Sequence, residues 1–285
     1  MKVYDRQTGS YEEIEQYGAG ALDVLYNYHA GRFLLWIAVS PLVSGIYGKV
    51  NSTRRSAKKI PGFIKEQHID MSDFENREFT SFNDFFTRRI GEGKRLIDTD
   101  KDVLISPADS KLLVYKIDAD TKMQIKGRDY TVSELLGDES AVVEEFRGGL
   151  ALVFRLCVND YHRYCFPDSG RVVSRKFIKG KLHTVSPVSK DHKIYKENTR
   201  QVCVLDTDNF GKVAYIEVGA LLVGKIVDHG ACEFAKGEEK GYFEPGGSTV
   251  IMLVNGVDVD GDILRQSAEG IETKVKYGER IGIRL

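Results

Sequence analysis

The sequence predicts an α+β fold, with N-terminal helices followed by a β-rich core of sandwich or barrel-like form. Two observations carry this. Leu22, Leu25, Tyr26 and His29 recur at helical spacing and lead into the apolar run Phe33–Val43. After Arg95 the texture changes to short apolar strands separated by Gly, Asp and Asn. The chain therefore divides into a helical region, residues 1–80, and a core, residues 81–285. At 285 residues it buries a sizeable core, and its formal charge of −1 gives no global field to recruit nucleic acid. The cysteines Cys157, Cys165, Cys203 and Cys232 show no CxxC spacing, and no leader-like segment precedes them. The expectation is reduced thiols in a cytoplasmic compartment. No zinc signature, P-loop or Rossmann glycine pattern is present.

Taking the elements in order, the run Phe33–Val43 is bounded by Arg32 and Pro41. A helix that spans a bilayer needs about 20 mainly apolar residues, so this one is too short to cross. It reads either as a helix packed on the core or as a monotopic helix with Phe33, Leu34, Trp36 and Ile37 at the headgroup boundary. The cluster Thr53–Lys59 carries Arg54, Arg55, Lys58 and Lys59. Such cations gain about 1 kcal/mol each near an anionic leaflet, although most charge runs are solvated faces. Ser81 is an N-cap for a short aromatic helix, with an acid three residues later at Asp84.

In the core, Leu104–Ser110 reads as a strand end entering a turn, and Asp109 after Pro107-Ala108 is first of all a turn former. The strand Leu150–Leu156 leads into the loop Asn159–Pro167, which holds His162, and a single histidine in a loop is most often structural. Arg200 reads as a structural ion-pair residue, and Gly219 and Gly224 as points of close backbone approach.

The most informative segment comes late. Gly246-Gly247-Ser248-Thr249 follows the charged run Lys236–Pro245 and precedes the apolar strand Val250–Val254. Taken alone it is a tight turn. Glycine also lets a backbone present its carbonyl to the next side chain. The Ser248 hydroxyl is then placed to attack the Gly247 carbonyl and turn the amide into an ester. Elimination across the Ser248 Cα–Cβ bond releases a chain ending at Gly247 and leaves dehydroalanine, which hydrolyses to a pyruvoyl group.

The surroundings favour this second reading. Lys236, Gly237, Glu239, Gly241, Phe243, Gly247, Ser248 and Thr249 fall in register with a Lys-Gly-x-Glu-x-Gly-x-Phe segment ending in Gly-Ser-Thr. The stretch resembles the phosphatidylserine decarboxylase proenzymes of prokaryotic type. Similar to the same family are Ser81–Arg88, Ser106–Ser110 (with Ser110 for glycine), Asp160–Pro167, Glu197–Arg200, Val218–Ile226 and Gly278–Gly282. The family's motif Asp-Tyr-His-Arg-x-His-x-Pro has its second histidine replaced here by Cys165.

The resemblance implies cleavage between Gly247 and Ser248 into pieces 1–247 and 248–285 that stay associated. It implies Asp109, His162 and Ser248 as the catalytic set, with Asp109 orienting His162 as general base. It further implies a pyruvoyl cofactor made from Ser248, no metal, and conversion of phosphatidylserine to phosphatidylethanolamine and CO2 through a Schiff base. The expected partners are phosphatidylserine, an anionic membrane surface and a second copy of the chain in a homodimer. The expected place is the cytoplasmic face of the cell membrane, peripheral or monotopic. With Cys165 present, His162 carries both histidine duties, Cys165 packs, or His183 supplies the second imidazole; these stay open. Two rival readings share the motif: a pyruvoyl decarboxylase of a soluble amino acid, and a non-cleaving membrane-associated homologue.

Overall fold

The computed structural model describes residues 1–14, 20, 40–125, 128–137, 140–183, 194–220, 225–246 and 248–285. Most of the apolar run expected to be helical, residues 22–39, lies outside these.

A ten-stranded sheet organises the core. Its strands, in spatial order, are Glu233–Phe234, Gly170–Ile178, Arg200–Thr207, Gly211–Gly219, Ser248–Val254, Leu150–Leu156, Ser110–Lys116, Glu272–Val275, Lys2–Asp5 and Ser10–Glu13. Neighbours are antiparallel except Lys2–Asp5, which runs parallel to Glu272–Val275. The sheet is open, and a small sheet of Ile226–Asp228, Glu239–Phe243 and Arg163–Cys165 packs on it. That contact is aromatic: the Tyr164 ring lies 6.2 Å from Tyr215 of the large sheet, whose hydroxyl donates to the Cys165 carbonyl at 3.1 Å. The α+β, β-rich expectation therefore holds in its layered form, with no closed barrel among the described residues. Strand Ser248–Val254 is buried along its whole length, because neighbouring strands flank it and packed layers cover it. Its unbroken Val-Ile-Met-Leu-Val run is what such a strand requires.

The N-terminal part differs from an all-helical region. Lys2–Asp5 and Ser10–Glu13 form a hairpin at the sheet edge, held by Arg6, which reaches Asp260, Asp262 and Glu279. Pro41, expected to end a helix, instead begins one, Pro41–Asn51, with Ser40 as N-cap. Proline suits this first turn because its missing N–H has no intrahelical partner there. The predicted cap at Ser81 forms: its hydroxyl accepts the Asp84 amide at 3.2 Å and starts the helix Phe82–Phe86. Phe82, Phe85 and Phe86 are buried with Ile60 and Phe63 in a second small core. Asn83 ties this helix to the preceding one through the Gly48 carbonyl (3.0 Å) and the Ser52 hydroxyl (2.7 Å).

Candidate active site

The register of the sheet assembles the site at one end of its central strands. Ser248 opens its strand opposite Gly219 on one side and Leu156 on the other. It is completely buried, and its hydroxyl has no hydrogen-bond partner among the described residues. An orphaned buried hydroxyl carries an energetic penalty, so it marks a place where something other than packing is at stake. Gly247, the acyl side of the expected cut, lies outside the described residues.

From Leu156 the chain turns through Cys157–Tyr161 to reach His162, at the foot of the strand Arg163–Cys165. This turn is fixed by charge. Asp160 accepts from the buried Lys111 ammonium at 2.5 and 2.8 Å and from the Cys157 amide at 2.6 Å. Its carbonyl takes His162 Nδ1 at 2.9 Å. A carbonyl only accepts, so Nδ1 carries the proton and Nε2 keeps a lone pair. Nε2 is buried and has no partner among the described residues. The ring lies 4.0 Å from Phe86, and the His162 carbonyl accepts the Phe243 amide at 2.9 Å. Burial, helped by the nearby cations of Arg88 and Lys111, lowers the imidazole to about 3, so the neutral form persists well below neutral pH.

Asp109 is engaged elsewhere. Both carboxylate oxygens receive Arg95 (3.1 and 3.0 Å), and one also receives the Tyr277 amide at 2.7 Å. Burial raises its proton affinity, against the pull of Arg95. No hydrogen bond joins Asp109 to His162 among the described residues. The Asp160 carbonyl fills the orienting position instead. Cys165 sits in an apolar cluster with Val103, Ile105, Tyr161 and Tyr277, and burial pushes its thiol up to about 12. A thiol in that state is a poor base near neutral pH.

His183 is buried on the other flank. Asn198 clasps it, accepting the His183 amide at 3.0 Å and donating to its carbonyl at 2.8 Å. The same Asn198 amide donates to the Gly219 carbonyl at 2.7 Å, on the residue facing Ser248. Arg200, read as an ion-pair residue, instead donates to the carbonyls of Leu135 and Glu134 and to those of Lys196 and Asn198.

Sequence reading missed Lys111, Asp160, Asn198 and the contact of Phe86 with His162. Lys111 had a signal, since it heads the apolar run Leu112–Val114 of its strand; the structure buries it. Ligand-type atoms of Cys203, Glu217 and Asp228 also cluster, but the buried Lys240 ammonium is bonded to both carboxylates and occupies their centre. Burial holds the Glu217 carboxyl up to about 7 even with this partner.

Comparison with known proteins identifies the family. A family model described as phosphatidylserine decarboxylase matches residues 82–283. A relative from Clostridium acetobutylicum, phosphatidylserine decarboxylase proenzyme 2, is 53% identical over 99% of this chain and 98% of its own. Phosphatidylserine decarboxylase proenzymes of Clostridium botulinum (40% identical, over 100% of this chain and 99% of the relative) and Clostridium tetani (41%, over 99% and 98%) match equally fully. The chain belongs to the phosphatidylserine decarboxylase family.

Proposed function

We propose that this chain is a self-processing proenzyme that cuts between Gly247 and Ser248 and then decarboxylates phosphatidylserine to phosphatidylethanolamine. The observation that carries the reading is two fully buried atoms with no hydrogen-bond partner among the described residues, Ser248 Oγ and His162 Nε2, one a proton donor and the other a lone pair. In processing, His162 Nε2 takes the hydroxyl proton as Oγ bonds to the Gly247 carbonyl carbon, then gives it to the Ser248 nitrogen as the peptide C–N bond breaks. The resulting ester loses the Ser248 Cα proton and the Gly247 carboxylate. The new terminal dehydroalanine takes up water and releases ammonia. A pyruvoyl group fits the position, because the residue that yields it is buried, first in its strand, and its hydroxyl has no hydrogen-bond partner among the described residues. Once formed, it supplies an electron sink for the charge left when CO2 departs. His162 then returns a proton to the substrate carbon. Asp109 serves by anchoring Arg95 and Tyr277 on the wall of the site rather than by touching His162.

The pieces stay together because Ser248–Leu285 supplies two strands of the large sheet. Buried Arg155 pairs with Glu272 across the two pieces. For the lipid surface, Leu42, Ile46 and Val50 form a stripe on the helix Pro41–Asn51 and are 80%, 63% and 52% exposed. The exposed cations Lys49, Arg54, Arg55 and Lys58 follow closely. This pairing suits an anionic leaflet met from one side, and no helix among the described residues is long and apolar enough to cross a membrane.

Intact-mass measurement of wild type beside Ser248→Ala tests the processing. Two pieces are expected from wild type, the smaller with a pyruvoyl end, and one intact chain from the variant. A single uncut chain in an active wild-type preparation refutes the mechanism.

A further inference from the structure

Arg88 follows the helix Phe82–Phe86 and is 1% exposed. Its Nη2 donates to the Asn159 and Asp160 carbonyls at 3.2 and 3.4 Å. Nε and Nη1 have no acceptor among the described residues. The guanidinium carbon lies 4.2 Å from the centre of the Phe74 ring and 5.0 Å from that of Phe85. Aromatic rings offset part of a buried charge but offer no lone pair to these N–H groups. The carboxylates that act on it are both engaged: Asp109 with Arg95 and the Tyr277 amide, Asp160 with Lys111 and the Cys157 amide. Burial lowers the guanidinium to about 10, so it remains cationic at neutral pH. A buried guanidinium whose neighbouring carboxylates are bonded elsewhere, with Nε and Nη1 lacking an acceptor among the described residues, is unfavourable, which calls for an anion.

Place and chemistry identify that anion. The Asp160 carbonyl that Arg88 touches is the one that holds His162 Nδ1, so guanidinium and imidazole share one oxygen. The helix that leads to Arg88 is also laced to the helix bearing the exposed apolar stripe. The substrate implied by the family carries two anionic groups. Its carboxylate leaves as CO2, and a fixed cation on that group would stabilise the ground state more than the transition state. Its phosphodiester keeps its charge throughout, so a cation there binds ground and transition states alike.

We propose that Arg88 binds the phosphodiester of the phospholipid headgroup through Nε and Nη1, seating the substrate beside His162. This rests on the decarboxylase reading above, and it predicts an effect on KM rather than on kcat.

The test uses the full chain as wild type, Arg88→Gln and Arg88→Lys. Three quantities are read: chain splitting by intact mass, kinetics on phosphatidylserine in mixed micelles, and binding of glycerophosphoethanolamine or L-serine by calorimetry. Glycerophosphoethanolamine has the phosphodiester without the carboxylate; L-serine has the reverse. For Arg88→Gln the expectation is normal splitting, which involves no substrate, and kcat within about threefold of wild type. KM and the Kd for glycerophosphoethanolamine should rise together, by roughly 10- to 100-fold for a lost charged hydrogen bond. Arg88→Lys should fall between. Selective weakening of L-serine, or a fall in kcat at constant KM, overturns the proposal in favour of a carboxylate contact. Loss of splitting in both variants also overturns it, leaving Arg88 a clamp on the Asn159–Asp160 turn. Should wild type prove unsplit, the processing mechanism fails, and glycerophosphoethanolamine binding to wild type against Arg88→Gln still decides the role of Arg88.

Discussion

Burying His162 as a neutral imidazole, the form the proposed base role needs, ties folding stability to acid pH in a measurable way. Its imidazole falls from an ordinary 6.5 to about 3 in the folded chain, mainly through burial. A group whose folded value is depressed contributes fully above its unfolded pKa, and that contribution is lost as pH falls from 6.5 towards 3. Each pH unit in this window is worth about 1.4 kcal/mol, so between pH 6.5 and 4.5 the loss is roughly 2.7 kcal/mol. The perturbation is His162→Gln in a Ser248→Ala background, which removes the titration and keeps both proteins uncut. The assay is urea unfolding from pH 7 to 4.5. Glu217, held up to about 7, titrates in the same range but is present in both proteins and cancels in the difference. The parent should lose about 2.7 kcal/mol more than the variant across this window. Parallel profiles would mean that the native imidazole takes up protons freely, and the base assignment would lose its physical support. In the cleavable protein, the same neutrality predicts that the splitting rate does not drop between pH 6.5 and 5.

Other perturbations bear on the frame around the site. Lys111→Met leaves the half-buried Asp160 carboxylate without its ammonium and should destabilise the fold by roughly 2–4 kcal/mol, somewhat below the cost of breaking a fully buried pair. Adding Asp160→Asn should recover part of this in thermal unfolding, and full additivity would deny the pairing. Gly241→Ala places a Cβ 2.1 Å from the Val227 carbonyl oxygen, between strands that cannot both move. Overpacking of this kind costs about 1–3 kcal/mol or more, so the variant should melt earlier; an unchanged melting temperature would refute the tight approach. Replacing Leu42, Ile46 and Val50 together by Ser should weaken sedimentation with anionic vesicles on the order of 100-fold, taking partial lipid burial of three apolar side chains. Unchanged vesicle binding with intact micellar activity would move the lipid surface elsewhere.

What was legible in the sequence was local, and what was missed is pairing at a distance. The Ser81 cap, the strand after Ser248 and the turn at Asp109 follow from neighbouring residues alone. Lys111 and Asp160 stand 49 positions apart, and only the sheet order brings them together. The N-terminal hairpin was hidden because a four-residue strand beside the sheet edge, Lys-Val-Tyr-Asp, buries just Val3 and Asp5 and leaves no long period to read. His162 and Cys165 share a short motif yet meet different surroundings. His162 precedes the strand Arg163–Cys165 and contacts Phe86, whereas Cys165 closes the strand among Tyr161 and Tyr277. Motif spacing alone therefore does not make the two positions exchangeable.

The position of Ser248 is compatible with the proposed cut, because a chain divided there keeps its packed sheet. The strand it opens is bonded on both sides, to Gly211–Gly219 and to Leu150–Leu156. A cut placed before its first residue leaves the bonds of Thr249–Val254 in place. Conversion of Ser248 removes one backbone N–H at the end of the ladder, where a missing donor is least disruptive. A cut three residues later would divide the same strand and expose polar backbone in the core. The reactive residue thus has to stand at a strand end, buried enough to exclude water yet outside most of the ladder. Ser248 meets both conditions, being fully buried and first in its strand.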